Sequence, residues 1–127
     1  MKYSIDKKED YCIFKLQEEK LDSSIGPALK SDFVTLNAEG IKNFIIDMSE
    51  VKYTDSSGLS ALLVGNRIFT EDNGIFVIAS LSDHVMKLIK ISQLNNVLNI
   101  VPTVEEAVDA VLLHKLEGEL GNEKKEQ

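Results

Sequence analysis

The sequence predicts an α/β fold. The expected architecture is a single domain with a mixed, mostly parallel sheet of about five strands and about four helices, in the order β-β-α-β-α-β-α-β-α. Three observations carry this. Two short, nearly continuous apolar runs, Asn43–Met48 and Ile75–Ala79, read as central strands buried on both faces. Segments of helical period separate them, and strands joined by single helices imply parallel neighbours with right-handed crossovers. A chain of 127 residues is one ordinary domain and buries enough surface to need no disulfide or metal staple.

In chain order, Lys2–Lys7 is a weak first strand and Glu9-Asp10 a turn. Tyr11–Gln17 alternates, with Cys12, Phe14 and Leu16 on one face, so the chain opens with a hairpin at the sheet edge. Leu21 turns inward. Asp22-Ser23-Ser24 offers three N-cap oxygens, and Pro27 suits a first helical turn. Ile25, Leu29, Phe33 and Leu36 follow at helical spacing, and Gly40 is the stop signal. After the strand 43–48, a second helix runs from about Ser57 to Glu71. Leu59, Leu62, Leu63 and Phe69 form its stripe, which Ala61, Val64 and Ile68 widen. Such an apolar helix lies across a sheet.

Asp72-Asn73-Gly74 is a turn. Ser82 caps a third helix to about Ile91, with Val85, Leu88 and Ile89 inward. Val97–Val101 is a last short strand ended by Pro102. Thr103 and Glu106 form a capping box before a final helix. Its apolar positions are Val104, Ala107, Val108, Val111, Leu112 and Leu116. The domain is expected to span 1–117, with a flexible C-terminal tail at 118–127.

Composition narrows function. The chain is 43% hydrophobic and 28% charged, as soluble globular proteins are. Its net charge is −7, from 21 acidic and 14 basic residues. That argues against nucleic acid, where a basic footprint supplies most of the affinity, and against an anionic membrane surface. No apolar run approaches the roughly 20 residues of a membrane span. The opening Met1–Asp6 has no apolar signal core, and a lone Cys12 suits a reducing compartment, so a cytoplasmic location is expected. Cys12 reads as a small core hydrophobe. Two histidines, His84 and His114, stand thirty residues apart with no metal-ligand spacing. No metal, cofactor or catalytic residue is expected.

One stretch stands apart. Between the strand ending near Asp47 and the apolar helix lies a polar loop, with Asp55-Ser56-Ser57-Gly58 at the helix mouth. Ser57 there is a helix cap, a phosphoryl acceptor, or both. The first turn of a helix has N–H groups without intrahelical partners, and its dipole favours negative charge. Gly58 allows close backbone approach at the helix start. Asp55 caps the loop or meets a partner. Asp22 and Asp47 end neighbouring elements, on the rim where open α/β sheets bind ligands. That rim, with Asn66 and Arg67 on the exposed side of the helix, is the expected binding face.

The string Asp47-Met48-Ser49 followed by Thr54-Asp55-Ser56-Ser57-Gly58-Leu59 resembles the signature of the STAS domain family, and within it the bacterial anti-sigma-factor antagonists. Lys20-Leu21-Asp22 upstream, and Leu94–Ile100 with Glu105-Glu106-Ala107 downstream, extend the resemblance over nearly the whole chain. One departure is Ser60, where the family often has glycine. The resemblance implies a binding module for an anti-sigma factor that is also a serine kinase, which frees the sigma factor. It implies phosphorylation on Ser57 that ends the interaction, and a phosphoserine phosphatase that restores it. Ser56 is the lesser acceptor. The alternatives are a STAS subunit of a stress-signalling scaffold or a lipid-transport complex. A serine-nucleophile enzyme has little support, because Ser57 lacks a Gly-x-Ser-x-Gly frame and neither histidine is near it in sequence.

Overall fold

The computed structural model describes the backbone of residues 1–126 and the side chains of residues 1–121. Its elements are β1 (Tyr3–Lys7), β2 (Cys12–Leu16), β3 (Lys20–Leu21), α1 (Gly26–Ala38), β4 (Phe44–Asp47), β5 (Tyr53–Thr54), α2 (Ser56–Glu71), β6 (Phe76–Ala79), α3 (Asp83–Ile91), a 3-10 turn (Leu94–Asn96), β7 (Asn99–Val101) and α4 (Val104–Glu126). The main sheet has the order β1-β2-β4-β6-β7. β1 pairs antiparallel with β2, Ile5 opposite Phe14, and every other pairing is parallel. The register sets Phe14, Ile46 and Ile78 in one row across the three inner strands.

Period-2 alternation divides the core in two. Cys12, Phe14 and Leu16 of β2, Phe44 and Ile46 of β4, and Phe76 and Ile78 of β6 point to one face, where α1, α2 and α3 cover them. Ile45, Val77 and Ala79 point to the other face and meet Ala107 and Val111 of α4. The first face is anchored by rings. Phe33 of α1 stands edge-on to Phe44 and Phe76 at 5.2 and 5.3 Å, and Phe69 of α2 stacks on Phe44 at 4.9 Å. Such pairs add about 0.5–1.5 kcal/mol each beyond the area they bury. Cys12 is fully buried among them, and burial pushes its thiol pKa up to about 12, against a small opposing effect of Lys7. That keeps it protonated and inert.

The helix caps follow the chemistry of their residues, with one exception. Ser82 accepts from the Val85 N–H at the start of α3, and Thr103 accepts from the Glu106 N–H at the start of α4. Gly40, at φ 108°, takes the left-handed position that follows α1. The exception is the start of α1. Its N-cap position is Ile25, with no side-chain cap. The carbonyl of Asp22 instead accepts the Ile25 and Gly26 N–H groups. Asn43, expected in a strand, lies just outside β4. Its amide donates to the Asp10 carbonyl and its side-chain oxygen accepts from the Ile75 N–H, joining the strand starts.

Other features also depart from the sequence reading. β3 and β5 form a separate two-residue parallel ladder, Lys20 beside Tyr53 and Leu21 beside Thr54. The last helix does not stop near Leu116; it runs through Gly118 and Gly121 to Glu126. Gln127, the end of the expected tail, lies outside the described residues. Leu112 and Leu116, apolar positions of this helix, are 46% and 51% exposed. With Ala107 and Val111 against the sheet, these two leucines fall on the far side of the helix. Among the described residues, no helix is long and apolar enough to cross a membrane.

Candidate functional site

The β3/β5 ladder is the frame of the site. Thr54, at 1% exposure, sends its hydroxyl to the Leu21 carbonyl at 2.8 Å. The bond satisfies a buried hydroxyl and locks the two strands in register. The residues that follow each strand, Asp22 and Asp55, therefore leave the ladder side by side. Asp55 is the N-cap of α2, its carboxylate accepting the Gly58 N–H at 3.1 Å. Ser57 does not cap. Ser56 and Ser57 occupy the first two helical positions, Ser56 exposed and Ser57 half-buried.

Gly58 is buried. A side chain there would collide with the Thr54 hydroxyl, the Leu21 carbonyl and the Leu21 side chain. The missing Cβ lets the start of α2 pack down on the ladder. On the other flank, Gly26 of α1 lies with its Cβ direction 3.4 Å from the Ser57 carbonyl oxygen. The two helices begin side by side, and the Ser57 backbone is held between α1 and the ladder.

Asp22 is bound into its own loop. Its carboxylate accepts from the Ser24 hydroxyl at 2.6 Å and the Ser24 N–H at 3.0 Å. The hydroxyl bond foremost, then the N–H bond, holds its pKa below the usual value. Asp47 ends β4, paired with Lys15 and Ala79, and its carboxylate accepts from the Ser49 N–H at 2.9 Å. It shapes the loop out of the sheet. Asn66 and Arg67 lie nine and ten residues beyond Ser57, about 14–15 Å along the helix. Arg67 is exposed and Asn66 half-buried. The structure therefore gathers Asp22, Asp55, Ser56, Ser57 and Gly58 at one point, and sets Asn66 and Arg67 toward the far end of α2.

Two residues of this rim escaped the sequence reading. Tyr53, 43% exposed, stacks on His84 of α3 with ring centroids 6.1 Å apart. The alternation of an outward Tyr53 with an inward Thr54 was the available signal, but two residues are too few to reveal a period. His114 lies elsewhere, its Nε2 3.1 Å from the Asn73 carbonyl. Neither histidine hydrogen-bonds Ser57 among the described residues.

The model of the STAS domain family matches residues 2–107. The chain belongs to the STAS domain family. Among solved structures, this STAS domain is similar to an anti-sigma factor antagonist from Mycobacterium paratuberculosis, 20% identical, TM-score 0.76, covering 87% of this chain and 92% of that one. It is similar to the Bacillus cell fate determinant SpoIIAA in its phosphorylated form, 20% identical, TM-score 0.66, covering 87% and 99%. It is also similar to a sulfate transporter family protein from Wolinella succinogenes, 19% identical, TM-score 0.68, covering 84% and 86%. At these identities the likeness is one of fold. The α/β architecture with four helices around a five-stranded mixed sheet is that of the STAS domain.

Proposed function

We propose that this STAS domain is an anti-sigma factor antagonist, a cytoplasmic binding module whose partner is an anti-sigma factor with serine kinase activity. Binding frees a sigma factor. Phosphorylation of Ser57 ends the interaction, and a phosphoserine phosphatase restores it. The observation that carries this reading is the placement of Ser57: second residue of α2, half-exposed, on a backbone fixed by Asp55, Thr54 and Gly26. The names of the structural neighbours, SpoIIAA and its phosphorylated form among them, support it.

The chemistry is a phosphoryl transfer. The Ser57 oxygen bonds to the γ-phosphorus of ATP, the bond to the β-phosphate oxygen breaks, ADP leaves, and the hydroxyl proton goes to a base of the kinase. The new phosphate carries about −1.5 to −2 charges at pH 7. The first-turn N–H groups and the dipole of α2 tolerate that charge locally, so the domain needs no refolding. A docked partner tolerates it less. Each tenfold loss of affinity needs only about 1.4 kcal/mol, and a desolvated phosphate beside Asp22 and Asp55 supplies several such factors.

The test is mass spectrometry after incubation with the cognate kinase and ATP. Phosphate on Ser57 is expected, and phosphate confined to Ser56 or elsewhere would sink the assignment. Ser57→Ala should bind the kinase and resist release by ATP, whereas Ser57→Asp should bind at least tenfold more weakly. A second reading rests on the transporter neighbours, which include the murine anion transporter Slc26a9, 15% identical, TM-score 0.68, covering 87% of this chain and 18% of that one. Under it the domain serves a membrane transporter, and affinity capture would recover transporter subunits in place of a kinase.

A further inference from the structure

α4 carries a surface that the proposed switch does not use. Leu112, Leu113, Leu116 and Leu120 are 46%, 56%, 51% and 48% exposed. Their spacing places them on one ridge opposite Ala107 and Val111, which face the sheet. The ridge begins five residues beyond the end of the STAS match at residue 107. It is also a held surface. Lys115 bonds Asp10 at 2.6 Å and His114 meets the Asn73 carbonyl, fixing this part of α4 to the domain.

Charge selects the occupant. From Val104 to Glu126 the helix carries seven acidic residues and three basic ones, and Lys115, the basic residue within the ridge, is engaged with Asp10. Glu105 and Asp109 continue the leucine line toward the start of the helix, and Glu106, Glu117 and Glu119 flank it, all exposed. A second copy pairing in parallel would set Asp109 against Asp109 beside the seam, which like-charge repulsion opposes. An anionic membrane surface is repelled by the same carboxylates. A helix with an apolar stripe and Lys or Arg along its edges answers both the leucines and the acids.

We infer that the leucine ridge of α4 is a docking surface for a basic amphipathic helix of another protein, separate from the Ser57 rim. The probe is a pair of fluorescein-labelled synthetic helical peptides with the same leucine stripe, one flanked by Lys and Arg, the other by Glu. They are titrated by anisotropy against the full chain. The basic peptide should bind at least tenfold more tightly than the acidic one. Binding should weaken with salt and fall at least tenfold in the Leu113→Glu, Leu116→Glu double variant. Because both leucines are exposed, that variant should keep the wild-type circular dichroism and melting temperature. Ser57→Asp should leave the titration unchanged, which separates this surface from the switch. Equal binding of the two peptides, no binding of either, or undiminished binding to the folded double variant would overturn the inference. So would sedimentation of the wild-type chain as a dimer that the double variant dissociates, since the ridge would then belong to a second copy.

Discussion

Two helix segments of this domain are built in opposite ways. The start of α2 is enclosed: the Asp55 carboxylate caps it, Gly58 rests on the β3/β5 ladder, and Gly26 of α1 lies against the Ser57 carbonyl. Ser56 is exposed, and Asp55 and Ser57 are half-buried. The middle of α4, from Leu112 to Leu120, is tied by two polar contacts along one edge, and it leaves four leucines in water. The contrast separates two kinds of exposed surface. Under the proposed function the Ser57 hydroxyl meets another protein's active site, and such a group gains from a frame that cannot shift, because misplacement of reacting groups by about 1 Å costs roughly 100-fold in rate. An apolar ridge needs only an orientation, since burial of apolar area has no direction.

The sharpest way to break the comparison is to place the same substitution in both segments. Gly58→Ala puts a methyl into the Thr54 hydroxyl and the Leu21 backbone, and the backbone cannot yield as a flexible side chain does. A loss of about 2–3 kcal/mol in urea unfolding is expected, at the upper end of overpacking costs. Gly118→Ala meets nothing within 4 Å. It should stabilise α4 by about 0.5–1 kcal/mol, the ordinary gain of alanine over glycine inside a helix. If both variants melt alike, the start of α2 is not enclosed as described. Between these in size lies Asp55→Ala, which removes the cap at Gly58. A loss of about 1 kcal/mol is expected, with faster hydrogen exchange at the first-turn amides of α2.

What the sequence could show follows the same division. The strands and helices were legible because their periods extend over four or more residues: β2 buries Cys12, Phe14 and Leu16 as the alternation requires, and Ser82 and Thr103 cap the helices they precede. The β3/β5 ladder was not legible, since two residues per strand carry no period. The choice of cap at α2 was also hidden. Asp55, Ser56 and Ser57 each carry an acceptor oxygen, and the contact that decides between them is the burial of Gly58 on a ladder no local pattern reveals. Leu112 and Leu116 show a further limit. Periodicity says which residues share a face, and the bulk of the domain decides whether anything covers it. The Asp-Ser-Ser-Gly string was visible because it is local, whereas Tyr53 and His84 meet only through the placement of α3.

The smallest expected effect is at Asp22 and tests how firmly the loop beside Asp55 is held. The Ser24 hydroxyl is the leading cause of the lowered Asp22 pKa, with the Ser24 N–H second. Both bonds favour the charged carboxylate, so the folded pKa lies below the unfolded one. The resulting stabilisation is present above the unfolded value, near 3.9 for aspartate, and is lost as the pH falls through the folded pKa. Ser24→Ala removes the hydroxyl and keeps the N–H. The Asp22 pKa, followed by the carboxyl carbon resonance in a pH titration, should rise in that variant and stay below the ordinary aspartate value. At neutral pH its stability should barely change, because Asp22 is partly exposed and water screens the interaction. An unmoved pKa would show that the backbone alone orders this loop. A pKa that rises to the unperturbed value would show that the hydroxyl is needed for the N–H bond as well, so that the side chain of Ser24 sets the turn leading into α1.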